Sequence, residues 1–294
     1  MQLKYIHGVL LVLLAGVFWS SMGIGIRSIS EANVWQILLY RSVSLACFLL
    51  LVIRFRSGGK TVAAIRRTGL AGVIGGWGLV LAFSGGIYAI QTTTVANAMF
   101  LFAAAPFMAA ILARILLGES VRVSTRFAVV GAMLGIFIMV ADGFSSGQLS
   151  GNLSALASAL GFSIFTIALR WGKLEDMIPA VFLAGLFGSF VALVICLLNE
   201  FDLVLTPADA AIAVAMGVFQ VGLGLVIFTL GSRVVPAAEL ALLSMTEVLL
   251  GPLWVWLLLG ETAGLLTLAG GSILMFAIVF NALTGLRNKP VPVL

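Results

Sequence analysis

Ten apolar stretches, each about 20 residues long and joined by short polar connections, decide what this chain can become. A helix needs about 20 mostly apolar residues to cross the hydrocarbon of a bilayer. Broken at Gly, Pro, Asn or charge clusters, the sequence places spans near 9–29, 34–53, 68–90, 94–116, 123–141, 151–170, 178–198, 209–231, 236–258 and 263–284. Composition agrees. Of 294 residues, 62% are hydrophobic and 9% charged, against roughly 25% charged in a soluble domain. So few charges cannot coat a protein in water, and lipid must be the solvent for most of its surface. The first apolar run is too long for a signal peptide and lacks a small-residue cleavage site, so it is read as a retained span.

Lysine and arginine set the orientation. With a cytoplasmic N-terminus, the inner connections hold Lys4, Arg54, Arg56, Lys60, Arg66, Arg67, Arg114, Arg122, Arg126, Arg170, Lys173, Arg233, Arg287 and Lys289, which is 14 of the 16 basic residues. Arg27 falls at an outer end and Arg41 inside the second span. The outer side collects Glu31, Asp142, Glu200, Asp202, Asp209 and Glu261. Both termini are therefore expected inside. The net charge of +5 is scattered over connections rather than gathered on one face, which argues against nucleic acid as a partner.

An internal repeat follows. "ILLGE" ends at Glu119 and "LLLGE" at Glu261, 142 residues apart. The same shift places Gly75 on Gly217, Trp77 on Phe219 and Asn97 on Glu239. One residue more places Trp19 on Phe162, Ser20 on Ser163 and Arg27 on Arg170. Five spans per copy is an odd number, so the second copy enters the membrane from the opposite side. Residues 1–145 form the first repeat and 146–294 the second, an inverted arrangement that secondary transporters use for alternating access.

Chemistry of other kinds has little to work with. One histidine, His7, leaves no histidine-based triad or metal site, and no cofactor or metal is expected. No G-x-x-x-x-G-K loop appears, so ATP is not the driver. A membrane-embedded enzyme remains only a distant alternative, and a channel would need rings of charge or carbonyl-presenting loops. Cys47 and Cys196 lie in apolar runs as inert packing residues. Gly72–Gly76 and Gly131–Gly135 have a helix-packing spacing, read mainly as contacts within one chain and secondarily as a dimer contact. The expected state is a monomer or weak homodimer.

Polar groups at mid-depth carry the functional reading, because an acid near the bilayer centre costs about 2.5–3.5 kcal/mol and must face protein or water. Glu247 lies central in span 9, with Leu243 and Trp254 on its helical face. It either attracts a cargo ammonium, binds a proton in exchange, or pairs with Arg41 as structural glue. Glu239 is a second candidate for proton or charge coupling. Arg41 is read as a structural charge. Trp19, Trp77, Phe162 and Phe219 fall near the middle of their spans, with Ser20, Ser163, Gln220 and Asn97 as polar companions. Glycine clusters at matching depth in spans 3 and 8 (Gly75, Gly76 and Gly78; Gly217, Gly222 and Gly224) mark both as bendable, so closure of either end is expected to bend spans 3–4 or 8–9.

"VFWSSMGIGIRSIS" (17–30), "LLYRSVSL" (38–45) and "GGIYAIQTTTVANAMFLFAAAPFMAAILARILLGE" (85–119) resemble the EamA-type transporters of the drug/metabolite transporter superfamily. "VVPAAELALLSMTEVLLGPLWVWLLLGE" (234–261) is similar to the second copy of that pattern, with Val248 where proline is usual and Pro252 four residues on. The resemblance implies an all-α integral membrane fold: ten transmembrane helices as two inverted five-helix repeats around a central cavity lined by spans 1, 3, 4, 6, 8 and 9. It also implies non-ATP export of small metabolites across a bacterial inner membrane. Four aromatic rings around such a cavity suit amino acids, aromatic and hydrophobic ones included; efflux of hydrophobic cationic drugs is the alternative. The absent proline removes the expected cause of a kink in span 9, with Pro252 as the substitute.

Overall fold

The computed structural model describes residues 5–119, 122–145, 147–174, 176–235 and 237–287. Of the residues used above for orientation, Lys4 and Lys289 lie outside this set, as do the side chains of Asp142 and Arg287. Every predicted span is helical, nine of them over a membrane-crossing length among the described residues. They run Tyr5–Arg27 (span 1), Val34–Arg56 (span 2), Gly69–Thr92 (span 3), Val95–Leu116 (span 4), Val123–Ala141 (span 5), Leu149–Trp171 (span 6), Ile178–Leu198 (span 7), Pro207–Gly231 (span 8) and Leu265–Thr284 (span 10). Span 9 consists of Ala237–Leu243 and Met245–Leu259. A short helix that the periodicity did not predict, Thr61–Arg66, lies between spans 2 and 3.

The halves are interlocked rather than placed side by side. Span 3 packs along span 6, and its symmetry mate, span 8, packs along span 1. Span 2 pairs with span 7 and span 5 with span 10. These pairs cross between copies, as two inverted five-helix repeats require. Glycine makes the close crossings possible, because bare backbones can touch. A Cβ on Gly161 would lie 2.4 Å from the Gly78 carbonyl oxygen, one on Gly135 2.5 Å from that of Gly270, and one on Gly231 2.7 Å from that of Gly8. The Gly72–Gly76 and Gly131–Gly135 stripes also meet helices of the same chain: Leu183, Phe187 and Ala184 on span 7, and Ala277, Gly270 and Leu274 on span 10.

The repeated "LLGE" ending has a geometric cause. Gly118 and Gly260 both take left-handed backbone, at φ 68° and 69°. Each helix thereby stops, and the next residue's N–H turns back to a carbonyl six residues earlier, Glu119 to Ala113 and Glu261 to Val255, both at 3.3 Å. Only glycine adopts that conformation without strain, and the turn aims the glutamate side chain away from the helix end.

Spans 4 and 9 are both discontinuous. Span 4 breaks between Val95–Phe102 and Ala105–Leu116, just before Pro106. Span 9 breaks at Ser244, the position matching Phe102, although no proline stands nearby. Pro252 sits inside the helix Met245–Leu259 and is not the break, so the substitute kink expected there is replaced by one at the symmetric depth. Span 8 is π-helical over Met216–Leu223, through its glycine cluster. Span 3, with the matching glycines, is regular, so the two copies differ in which bendable segment is distorted.

Candidate functional site

Spans 1 and 9 run parallel in fixed register. Tyr5 with Glu239, Ser20 with Trp254, and Arg27 with Glu261 are all joined by side-chain hydrogen bonds at a separation of 234 residues. A constant separation over the length of both helices is possible only if they point the same way. The register puts the face of span 9 that carries Trp254, and Glu247 two turns before it, against span 1. Gly16 opens room there: a Cβ on it would lie 3.1 Å from Thr246 Cβ and 3.7 Å from the Glu247 backbone nitrogen.

Glu247 and Arg41 are not a pair. Neither makes an ion pair among the described residues. The Arg41 guanidinium is buried, with Nε and Nη1 unpartnered, and its carbon lies 4.9 Å from the centre of the Phe83 ring. A cation over an aromatic face accounts for its position without an acid. Glu247 is left as a mid-span carboxylate to which no side chain in the described structure donates. Glu239 is elsewhere, at the membrane face, where the Tyr5 hydroxyl donates to it.

The four aromatics flank the two symmetry-related crossings. Trp77 and Phe162 adjoin Gly78 and Gly161, where spans 3 and 6 touch. Trp77 stacks on Phe187 at 5.0 Å, and Phe162 tilts against Phe165 at 5.9 Å. Trp19 lies over Gly224 on span 8, 5.1 Å from Phe228. Gln220, beside Phe219, donates to the Trp19 carbonyl at 3.4 Å and keeps its own carbonyl oxygen unpartnered. Trp77, Phe162 and Phe219 each remain about half exposed, at 48%, 50% and 54%. They therefore present ring surface to whatever fills the space beside the crossings.

The matched serines serve matched helix contacts. Ser163 donates to the Ala105 carbonyl at 2.8 Å, beside the break in span 4. Ser20 donates to the Val17 carbonyl at 2.7 Å and accepts from Trp254 Nε1 at 2.9 Å. Trp254 is thereby an internal strut between spans 1 and 9. Asn97 belongs to a buried polar cluster: its amide donates to Thr93 Oγ1 at 3.1 Å and to Asn152 Oδ1, while Asn152 donates to the Met139 carbonyl at 3.1 Å. Thr93 and Asn152 were not singled out by sequence; isolated polar residues at the ends of and inside apolar runs are the signal that could have found them.

Two ion pairs close the arrangement. Arg27 Nε donates to Glu261 at 2.8 Å, and Arg170 Nη2 donates to both Glu119 oxygens at 2.6 Å. Arg27 matches Arg170, and Glu261 matches Glu119. Each pair joins an arginine of one copy to a glutamate of the other, on opposite faces of the membrane. The repeat supplied the four residues; their pairing was visible only in space. Two shallow apolar grooves also occur, one of about 200 Å³ lined by Phe127 and Phe276 and one of about 350 Å³ lined by Met108 and Leu160. Neither contains any of these site residues.

Ten spans in two inverted, interlocked copies, with aromatic and polar side chains gathered at their crossings, define a membrane transporter of small molecules. Comparison with known proteins names the family. The model of the EamA-like transporter family matches twice, over residues 6–141 and 149–283, and the chain belongs to that family. A solved crystal structure shares the fold at a TM-score of 0.68 and 17% identity, covering 97% of this chain and 100% of its own. No curated protein matches the sequence.

Proposed function

We propose that this chain is a secondary carrier that exports small metabolites, amino acids with apolar or aromatic side chains first among them, across the inner membrane of a bacterium. The supporting observation is Glu247: a mid-span carboxylate to which no described side chain donates, on the face of span 9 that packs against span 1. An acid so placed is a functional group by default, because its cost is repaid only by a cation or proton. The cargo ammonium approaches Glu247, and its side chain lies against Trp19, Trp77, Phe162 and Phe219. Gln220, whose carbonyl oxygen is unpartnered, supplies a polar contact. Ser20 and Ser163, expected to do so, are fully buried and brace the helices that carry the rings, and Asn97 acts one layer back through Asn152. Apolar walls with few polar groups accept many side chains and discriminate weakly.

The basic residues favour the Arg170–Glu119 face as cytoplasmic and the Arg27–Glu261 face as external. Counterflow in proteoliposomes, with a panel of labelled amino acids and an imposed pH gradient, tests this reading. Saturable exchange of aromatic and branched amino acids supports it. Dependence on the gradient assigns Glu247 a proton, and independence assigns it the ammonium. The same lone carboxylate also suits hydrophobic cations, the second reading; exchange of such cations with no response to zwitterions would replace the first. Normal counterflow by Glu247→Gln would remove the carboxylate from either.

A further inference from the structure

The Glu261 carboxylate is engaged twice. Oε2 accepts from Arg27 Nε at 2.8 Å, and Oε1 accepts from the backbone N–H of Val95 at 2.6 Å. Val95 opens the outer half of span 4, so its N–H is one of the donors that a helix start leaves unpaired. Arg27 Nη2 in turn donates to the Thr93 carbonyl at 2.8 Å. The pair therefore does more than join spans 1 and 9: it grips the turn between spans 3 and 4. On the same face, Val95–Phe102 packs on Met245–Leu259, with Met99 so near Gly251 that a Cβ added there would lie 3.2 Å from its side chain. Toward the opposite face, Ala105–Leu116 and Ala237–Leu243 share no comparable contact among the described residues. Arg170–Glu119 is also the more open pair, at 51% and 40% side-chain exposure against 27% and 21% for Arg27–Glu261.

We propose that Glu261 is the latch of the external gate: Arg27 holds one carboxylate oxygen throughout the cycle, while the other binds the Val95 N–H when the gate closes and releases it when the gate opens. Glu119, held by Arg170, is the corresponding latch base at the cytoplasmic mouth in the alternate state. The two bases oppose one another, so weakening one shifts the carrier toward the state closed by the other. This rests on the carrier reading and on the orientation given above.

The test uses the full chain with Cys47→Ala and Cys196→Ala, and Met99→Cys as reporter, since Met99 is covered by Gly251 only while this gate is shut. A membrane-impermeant maleimide is applied to right-side-out and inside-out vesicles without cargo. From outside, Glu261→Ala is expected to speed labelling roughly tenfold, the change in ratio that about 1.4 kcal/mol produces. Glu119→Ala is expected to slow it. The exchange Arg27→Glu with Glu261→Arg restores an ion pair but sets a donor against the Val95 N–H, so labelling should stay fast. Labelling of the exchanged protein at the parent rate would show a passive ion pair and overturn the latch. So would unchanged labelling in Glu261→Ala, or acceleration by both alanine variants. The same pattern seen only from inside-out vesicles would reverse the orientation and leave the latch intact. No cargo is required, so failure of the amino-acid reading does not imitate failure of the latch.

Discussion

Glu247 costs the fold free energy that its surroundings do not return. Insertion scales put an acid at mid-span at about 2.5–3.5 kcal/mol unfavourable, and no described side chain offers it a hydrogen bond or charge. Glu247→Gln should therefore unfold at a higher temperature than the parent in detergent, by about 2–4 °C for each kcal/mol recovered in a chain of this size, while losing counterflow. A lower unfolding temperature would reveal a structural partner for the carboxylate. Trp254 gives the opposite case. Trp254→Phe keeps the ring but removes the donor to Ser20 Oγ, and should cost about 1 kcal/mol with no change in cargo preference. At this scale the sequence announced the atypical residues but not their partners. Glu247 was conspicuous as an acid in an apolar run, whereas no pattern connects position 41 to the Phe83 ring over which the Arg41 guanidinium lies.

Among the elements, the helix endings were the most legible. "LLGE" occurs twice because a left-handed glycine ends each helix and turns a glutamate toward an arginine of the other copy. The break in span 9 was less legible. Proline was the expected cause, yet the break falls at Ser244 while Pro252 continues the helix. Depth within the repeat, not residue type, predicts where spans 4 and 9 interrupt. The π-helical segment of span 8 could not be read either, since span 3 has a similar glycine cluster and stays regular. The glycine crossings yield a direct prediction. A Cβ at Gly161 would lie 2.4 Å from the Gly78 carbonyl and 2.6 Å from the Ala82 nitrogen, backbone atoms that cannot swing aside. Gly161→Ala should destabilise by about 1–3 kcal/mol, the usual cost of overpacking, read as a lower unfolding temperature. Gly58→Ala, at an open turn with φ 58°, should leave the crossing of spans 3 and 6 untouched and change only local turn strain.

For the molecule as a whole, count and spacing of apolar runs sufficed to give the ten spans, and the offset of 142–143 residues gave two copies with opposed entry. Interlocking did not follow from either. Spans 3 with 6, and 8 with 1, are paired across the copies, so motion of one hairpin is transmitted to a helix of the other half. Alternation of the two faces around Glu247 is the central claim. It is tested most directly by spin-label distances measured on one preparation, between Tyr88 and Thr262 on the Arg27 face and between Leu116 and Arg233 on the Arg170 face. Addition of a transported amino acid should lengthen the first distance in the same population that shortens the second. Two distances that stay fixed, or that lengthen together, would contradict a carrier built from opposed copies.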